Sequence, residues 1–375
     1  MIKVVLYGII FLVLPYFPGV FTDIYYLFPL NSMTLPSQGG VKGGGELLQK
    51  GGWVDLKRYS RGIIDSVENK EGCALNNISE DRIRLSLKVD KLKYLNHIPL
   101  EKISQIYIVL TDETIRNLIA QHSRNQIPLN KGGLRGLLKT CIEKSKNISP
   151  SKVRDKIVFS LPTIMRDMGN GCMTYGYFKK VVHELISQDF RQFQISNLGA
   201  MELFDDKDVQ LYADYPLYCL NPFSALKLRE LGFCRHTLSP EDDKENLQKL
   251  FALDADVIVY QDTPLFTSET CVWANMKNTC PGRNRCGFKQ TILENEYGDQ
   301  FLAIDEECKT VVIGERPFSI IHLIPKLLDN GQIGFRIDLC YKDYSPEMIE
   351  DIFSKIQNKS KVKNSTVGNF ERGLL

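Results

Sequence analysis

From about residue 82 onward, short runs of β-branched and aromatic residues alternate with longer segments whose apolar positions recur at helical spacing. The short runs predict strands over Ile83–Val89, Gln105–Leu110, Lys156–Leu161, Gln192–Ser196, Val209–Tyr215, Phe233–Leu238 and Asp256–Tyr260. Between them, Tyr177–Ser187 and Phe223–Leu231 predict helices, the second closed by Gly232 in the C-cap position. Strand, helix, strand repeated this often requires parallel pairing, because each crossover needs a helix-sized connection. With an eighth strand near Lys309–Ile313 or Gly334–Asp338, the pattern predicts an α/β fold, a TIM-like (β/α) barrel. An open, doubly wound sheet is the alternative topology.

In a barrel, chemistry sits at the C-terminal ends of the strands. Polar residues fall there: Arg166 and Asp167, Asn197, Asp214 and Tyr215, Ser239 and Glu241, and Gln261 and Asp262. Their ordinary use at such junctions is to cap helices and form turns.

The first thirty residues break this pattern, since only Lys3 and Asp23 are charged and Val4–Leu14 is continuously apolar. That run is shorter than the roughly 20 residues a spanning helix needs, and no alanine precedes Ala74 to make a small-residue cleavage site. Residues 1–52 therefore read as a hydrophobic arm and Gly-rich linker, 53–81 as a connecting segment, and 82–375 as the barrel. A membrane segment at the N-terminus is the competing reading of the arm; the expected location is cytoplasmic and no stable membrane partner is expected.

Composition adds two points. Lys and Arg number 47 against 45 Asp and Glu, a net charge of +2, so nucleic acid can be held only by a local basic surface. Residues 131–156 offer one, with Lys131, Arg135, Lys139, Lys144, Lys146, Lys152, Arg154 and Lys156 against Glu143 and Asp155; Lys359, Lys361 and Lys363 form a smaller run. No aromatic residues interleave the larger segment, so a solvated helix and loop explains it as well. The second point is sulfur, with ten cysteines against five histidines. A chain of 375 residues needs no disulfide scaffold, so these are buried thiols or ligands.

Four of them, Cys271, Cys280, Cys286 and Cys308, follow the seventh strand with eight, five and twenty-one residues between them. The intervening Asn, Pro, Gly and Arg residues read as loop, which supplies N–H groups and cations close to thiolates. Short C-x(2–4)-C knuckles typical of zinc are missing. Cys219, Cys234 and Cys340 read as buried thiols; Cys234 shares one strand face with His236 and Leu238, and core packing accounts for it.

The runs Pro264-Leu-Phe-Thr-Ser-Glu-Thr-Cys271, Asn278-Thr-Cys280-Pro-Gly-Arg-Asn-Arg-Cys286, Glu296-Tyr-Gly298 and Asp305-Glu-Glu-Cys308 resemble the cysteine segment of the peptidase U32 (collagenase-like) family. Tyr215-Pro-Leu-Tyr-Cys-Leu-Asn221, Arg235-His-Thr-Leu-Ser-Pro-Glu241, Gly334-Phe-Arg-Ile-Asp338 and Asn369-Phe-Glu-Arg-Gly373 are U32-like too and occur in the expected order. The resemblance covers about residues 82–375 and is closest to the branch of longer proteins, so the chain also reads as the C-terminal barrel of a longer architecture. It implies a TIM-like barrel with a 4Fe–4S cluster on Cys271, Cys280, Cys286 and Cys308, zinc being the alternative metal. It further implies oxygen-independent hydroxylation, which in several relatives acts on tRNA, ribosomal RNA or a quinone precursor; the expectation here is RNA (tRNA or rRNA), with prephenate as oxygen donor and an unspecified electron donor. The shorter-branch Gly-small-apolar-Cys signature is missing, which separates this chain from any one member's substrate.

The family's older label is peptidase, and the chain has neither a G-x-S-x-G elbow nor an H-E-x-x-H pair. A Cys/His pair using His183, His236 or His322 remains formally open, although all three read as structural. A third reading is a non-catalytic partner subunit with a structural metal. For anionic substrate groups the candidates are Arg283 and Arg285, flanking the ligand loop, with Arg166, Arg235 and Asp214 near strand ends.

Overall fold

A computed structural model describes residues 83–118, 150–165, 174–204, 208–251, 255–282, 285–306 and 308–372. The N-terminal arm and linker, the connecting segment, Arg166, Asp167, Arg283 and residues 131–149 of the basic segment lie outside the described residues.

Seven strands follow the predicted order: β1 (Arg84–Val89), β2 (Gln105–Val109), β3 (Ile157–Ser160), β4 (Gln192–Ile195), β5 (Gln210–Ala213), β6 (Phe233–Leu238) and β7 (Ala255–Gln261). A small antiparallel sheet then intervenes, made of β8 (Pro264–Ser268), β9 (Gln290–Glu294), β10 (Gln300–Glu306) and β11 (Lys309–Gly314) in the order β8-β11-β10-β9. The two-residue β12 (Phe318–Ser319) pairs antiparallel with β7, and β13 (Gly334–Leu339) follows. Of the two places foreseen for the eighth barrel strand, Gly334–Asp338 is correct. β13 pairs in parallel with both β7 and β1, which closes the ring. The remaining contacts, β1–β2 through β6–β7, are all parallel, so the barrel has eight parallel strands.

The helices are α1 (Asp112–Leu118), α2 (Pro150–Arg154), α3 (Tyr175–Ser187), α4 (Pro222–Glu230), α5 (Lys244–Gln248), α6 (Val272–Lys277), α7 (Ile324–Asp329) and α8 (Pro346–Asn358). Local chemistry sets their ends: Thr174 caps α3, Asn221 and Ser224 form a reciprocal capping box on α4, and Gly232 leaves α4 at φ 90°. The described residues fall into two units, one made of those within 77–292 and 301–375, the other of residues 293–300. Within the second, the described residues 293–300 form a turn in which Asn295 Oδ1 accepts the N–H groups of Tyr297 and Asp299.

Period-two alternation sends each strand's residues to two different environments. On the outer face, Leu87, Val89, Ile106, Ile108, Phe159, Phe193 and Ile195 pack into the main apolar core. The inner face is polar, with Ser86, Lys88, Ser160, Gln194, Asp214, Thr237, Asp256, Arg336 and Asp338 all buried. Tyr107, Val158 and Tyr212 form a small separate apolar cluster, the two tyrosines edge to face at 6.0 Å. Barrels of this kind more often fill their interior with branched apolar side chains.

Two cysteine expectations divide. Cys219 and Cys340 are buried, whereas Cys234 is exposed, so packing in the core does not explain it. Its strand face at that position meets solvent beside α4 instead of the barrel core.

Gly334, where β13 enters the barrel, is held closely. A Cβ there would lie 2.8 Å from the Ala255 carbonyl oxygen and 2.9 Å from Arg84 Nη2, and would collide with Asp256 Oδ1. Because one obstacle is backbone, Gly334→Ala is expected to destabilise the chain by about 3 kcal/mol. A urea melt reads this, and an unchanged midpoint would contradict the packing.

Candidate functional site

The C-terminal ends of the strands open into a cavity of about 910 Å³. Lys88, Ser196, Asp214, Gln261 and Asp338 contribute to its lining from the barrel, and Thr267, Cys286, Phe288, Lys289, Glu306, Cys308 and Lys309 from the small-sheet segment. Asp90, Lys91, Asp112, Glu113 and Arg116 complete one wall.

Beneath the cavity lies a closed ionic network. Arg336, 0 % exposed, donates from Nε to Asp338 Oδ1 at 2.7 Å and from Nη2 to Asp338 Oδ2 at 2.8 Å. Its Nη1 reaches Asp214 Oδ1 and Thr237 Oγ1, both at 2.9 Å. Lys88 Nζ donates to Asp214 Oδ2 at 2.5 Å, and Ser196 Oγ donates to the same oxygen at 3.1 Å. Gln261 Nε2 donates to Asp338 Oδ2 at 2.9 Å. Two cations and two carboxylates thus neutralise each other, which makes burial of four charges tolerable. The carboxylate oxygens are fully engaged, so what the floor can still offer a ligand is the remaining N–H capacity of Lys88.

The two carboxylates respond differently to the same arginine. Burial would push Asp214 up, but Lys88 and Arg336 together hold its carboxyl well below the usual range. For Asp338 burial prevails over Arg336 and Lys88, and its pKa is raised. The difference follows the hydrogen bonds: Asp214 takes N–H donors from two cations, Asp338 from one. Burial also raises Glu306, against the pull of Lys309 and Lys88, and lifts the Cys340 thiol far above its ordinary value, helped by Asp90 and Asp338.

Two cavity residues, Cys308 at φ 68° and Tyr341 at φ 75°, occupy the left-handed region that side chains rarely adopt. Cys308 is steadied by its own N–H, which donates to Asp305 Oδ1 at 3.1 Å. The Tyr341 N–H donates to Asp90 Oδ2 at 2.8 Å.

All four motif cysteines belong to the insertion between β7 and β13. Cys271 stands at the N-cap of α6, whose first N–H, from Val272, donates to Thr310 Oγ1 at 2.9 Å. Trp273 stacks on Phe288 with centroids 5.3 Å apart, and Lys277 Nζ sits 5.0 Å above the indole. Cys286 and Cys308 line the cavity; Cys271 is half-buried and Cys280 exposed, and neither contributes to the lining. Among the described residues, no three His, Cys, Asp or Glu side chains are gathered closely enough to hold a metal ion. The four thiols as placed are therefore not an assembled ligand set.

The other expected site residues scatter. Asp214 is in the floor, and Tyr215 and Gln261 line the cavity. Arg235 points to the opposite end of the barrel, where Nη1 donates to Gln105 Oε1 at 2.6 Å and lies 3.8 Å from Asp256. Its place on β6 precedes the strand end, so it does not line the mouth. Arg285 is exposed and outside the cavity lining. Asn197 accepts the Gly199 N–H as a turn former, and Asp262 is buried against Tyr344 Oη and Lys342. His183 is exposed on α3, and no described histidine lines the cavity. Among the described residues, no helix is long and apolar enough to cross a membrane.

No protein-family model and no curated protein sequence matches the chain. Solved structures give likenesses of low identity. The chain is similar to a U32 peptidase, Mk0906. The match has 11% identity and a TM-score of 0.38 and covers 70% of this chain and 94% of that one. The spore cortex-lytic enzyme SleL of Bacillus cereus follows, with 7% identity, a TM-score of 0.34 and 76% of each chain covered. Chitinase ChiW of a Paenibacillus species matches with 8% identity and a TM-score of 0.30, over 73% of this chain and 32% of its own.

Proposed function

We propose that the chain is a U32-type barrel that hydroxylates an RNA base, in tRNA or rRNA, without molecular oxygen and with prephenate as the oxygen source. The observation that carries the reading is the mouth cavity, where a buried ionic floor meets the segment bearing Cys286 and Cys308. About 910 Å³ is at the upper end of small-molecule sites and leaves room for a nucleobase beside a small donor. In this reading Lys88 binds a carbonyl or carboxylate oxygen with its free N–H. Arg336 fixes Asp214 and Asp338 and so holds Lys88 in place. Phe288, buried and stacked on Trp273, lends the wall an apolar side chain.

A 4Fe–4S cluster, when bound, would supply redox or Lewis-acid chemistry. Its proposed ligands rest on the sequence motif. Because the thiols are not gathered, a cluster on all four requires Cys271 and Cys280 to be drawn towards Cys286 and Cys308, the coupling of metal binding to folding seen in small thiolate sites.

The collagenase-like peptidase reading is less well supported. It needs an activated nucleophile with a base, and the cavity thiols lie without a described histidine while burial keeps Cys340 protonated. The decisive experiment compares nucleoside profiles of tRNA and rRNA by mass spectrometry with and without the gene. Loss of one hydroxylated nucleoside is expected; an unchanged profile would transfer support to the peptidase or partner-subunit reading.

A further inference from the structure

We infer that Asp90 is the proton-accepting residue of the mouth site, taking the proton of an O–H or N–H group on a ligand bound there. The inference rests on the mouth being the working site, and it holds whether or not the chemistry is hydroxylation.

Asp90 follows β1 directly, two positions beyond Lys88, and lines the cavity. One carboxylate oxygen is committed: Oδ2 accepts the Tyr341 N–H at 2.8 Å, from a residue whose own backbone is strained into the left-handed region. The other, Oδ1, is shielded from bulk water and takes no hydrogen bond from another described residue; besides Tyr341, only the backbone N–H of Asp90 itself bears on the carboxylate. A desolvated carboxylate oxygen without a donor is uncommon in folded proteins and costly to maintain. A ligand carrying a donor, or a proton, removes that cost.

Neighbouring acids are differently placed. Asp214 and Asp338 spend their oxygens on Arg336, Lys88 and Gln261, and Asp343 is paired with Lys91 and Lys93. Asp112 is paired with Arg116. The groups that face Asp90 are Lys91 and Tyr94 after β1, Glu113 of α1, and Cys340 and Tyr341 after β13. Lys91 Nζ is turned to Asp343 at 2.7 Å, so it acts on Asp90 through space only. Burial outweighs Lys91, and with Glu113 adding to it the Asp90 carboxyl is pushed up to about 6. Such a group is charged at neutral pH yet easily protonated, as a general base should be.

In the step itself, the ligand's O–H or N–H bond breaks and its electron pair stays on the oxygen or nitrogen. The proton forms a new bond to Asp90 and later returns to product or water. No oxidant or second reactant is consumed.

Two measurements on the full chain test this. A hydrophobic carbodiimide reacts with protonated carboxyls, and peptide mapping locates the adduct. With a midpoint of about 6, Asp90 should label roughly fifty-fold faster at pH 6 than at pH 8. An unlabelled Asp90 at pH 6 overturns the proposal. In the RNA reaction, Asp90→Asn should lower kcat at least a hundredfold with KM nearly unchanged and abolish the acidic limb near pH 6, while Asp90→Glu restores part of the rate. A wild-type pH profile in Asp90→Asn overturns the proposal as well. If the wild-type chain turns over no RNA, the hydroxylase reading fails and the labelling result alone decides for or against Asp90.

Discussion

Arg336→Met is expected to cost about 3–5 kcal/mol and to lower Tm by about 10 °C, the largest effect of any single replacement inside the barrel. The arginine is wholly buried, and its removal leaves Asp338 without a hydrogen-bonded cation and Asp214 with Lys88 alone. The loss should depend on pH in a defined direction. In the wild-type chain the Asp214 pKa is depressed, so its contribution is complete above the unfolded value near 4 and is lost as pH falls through the folded one. Asp338, whose pKa is raised, works in the opposite sense. Without Arg336 both carboxyls rise, and protonation relieves the uncompensated charge. The gap in Tm between wild type and variant should therefore narrow from pH 7 to pH 4, and adding Asp338→Asn to the variant should recover part of the loss at pH 7. A gap of equal size at both pH values, read by calorimetry, would refute the network as the source of the effect.

Purified without oxygen, the chain is expected to be brown and to carry iron and sulfide. Cys271→Ala and Cys308→Ala should each remove most of the colour and the metal, because a cluster cannot keep its four thiolate ligands when one is deleted. Cys219→Ala should leave both in place, since that thiol is buried beside Ser224, with its Oγ 3.6 Å from the sulfur. The contrast is close to all-or-none and is read by absorbance and metal analysis. A colourless protein with stoichiometric zinc would overturn the iron reading; full colour in Cys308→Ala would overturn the ligand set.

The barrel was legible because its signal is local. Each strand before β8 is a compact β-branched or aromatic run, and each is found where periodicity puts it. The mouth was legible in part, through Asp214, Tyr215 and Gln261. Its most heavily used residues, Lys88, Arg336 and Asp338, went unassigned. They stand inside strands instead of after them, and a charged residue within an apolar run looks like an outward position until closure of the ring shows which parity faces in. The clue in RLSLKV and GFRIDL was the alternation of charge with Leu, Ile or Val. Arg235 failed for a related reason: sequence position on a strand does not reveal which end of the barrel a long side chain reaches.

The place of β13 bears on how the chain is made. The strand that completes the ring is the last barrel strand in the sequence, yet it lies between the first and the seventh. Until residues 334–339 have left the ribosome, β1 and β7 each present an unpaired edge, and Asp214 lacks its arginine. Long-range pairings across more than a hundred residues, such as Arg336 with Asp214, then form together and late. Synthesis thus passes through a nearly complete but open sheet, the state in which such edges most readily recruit other chains.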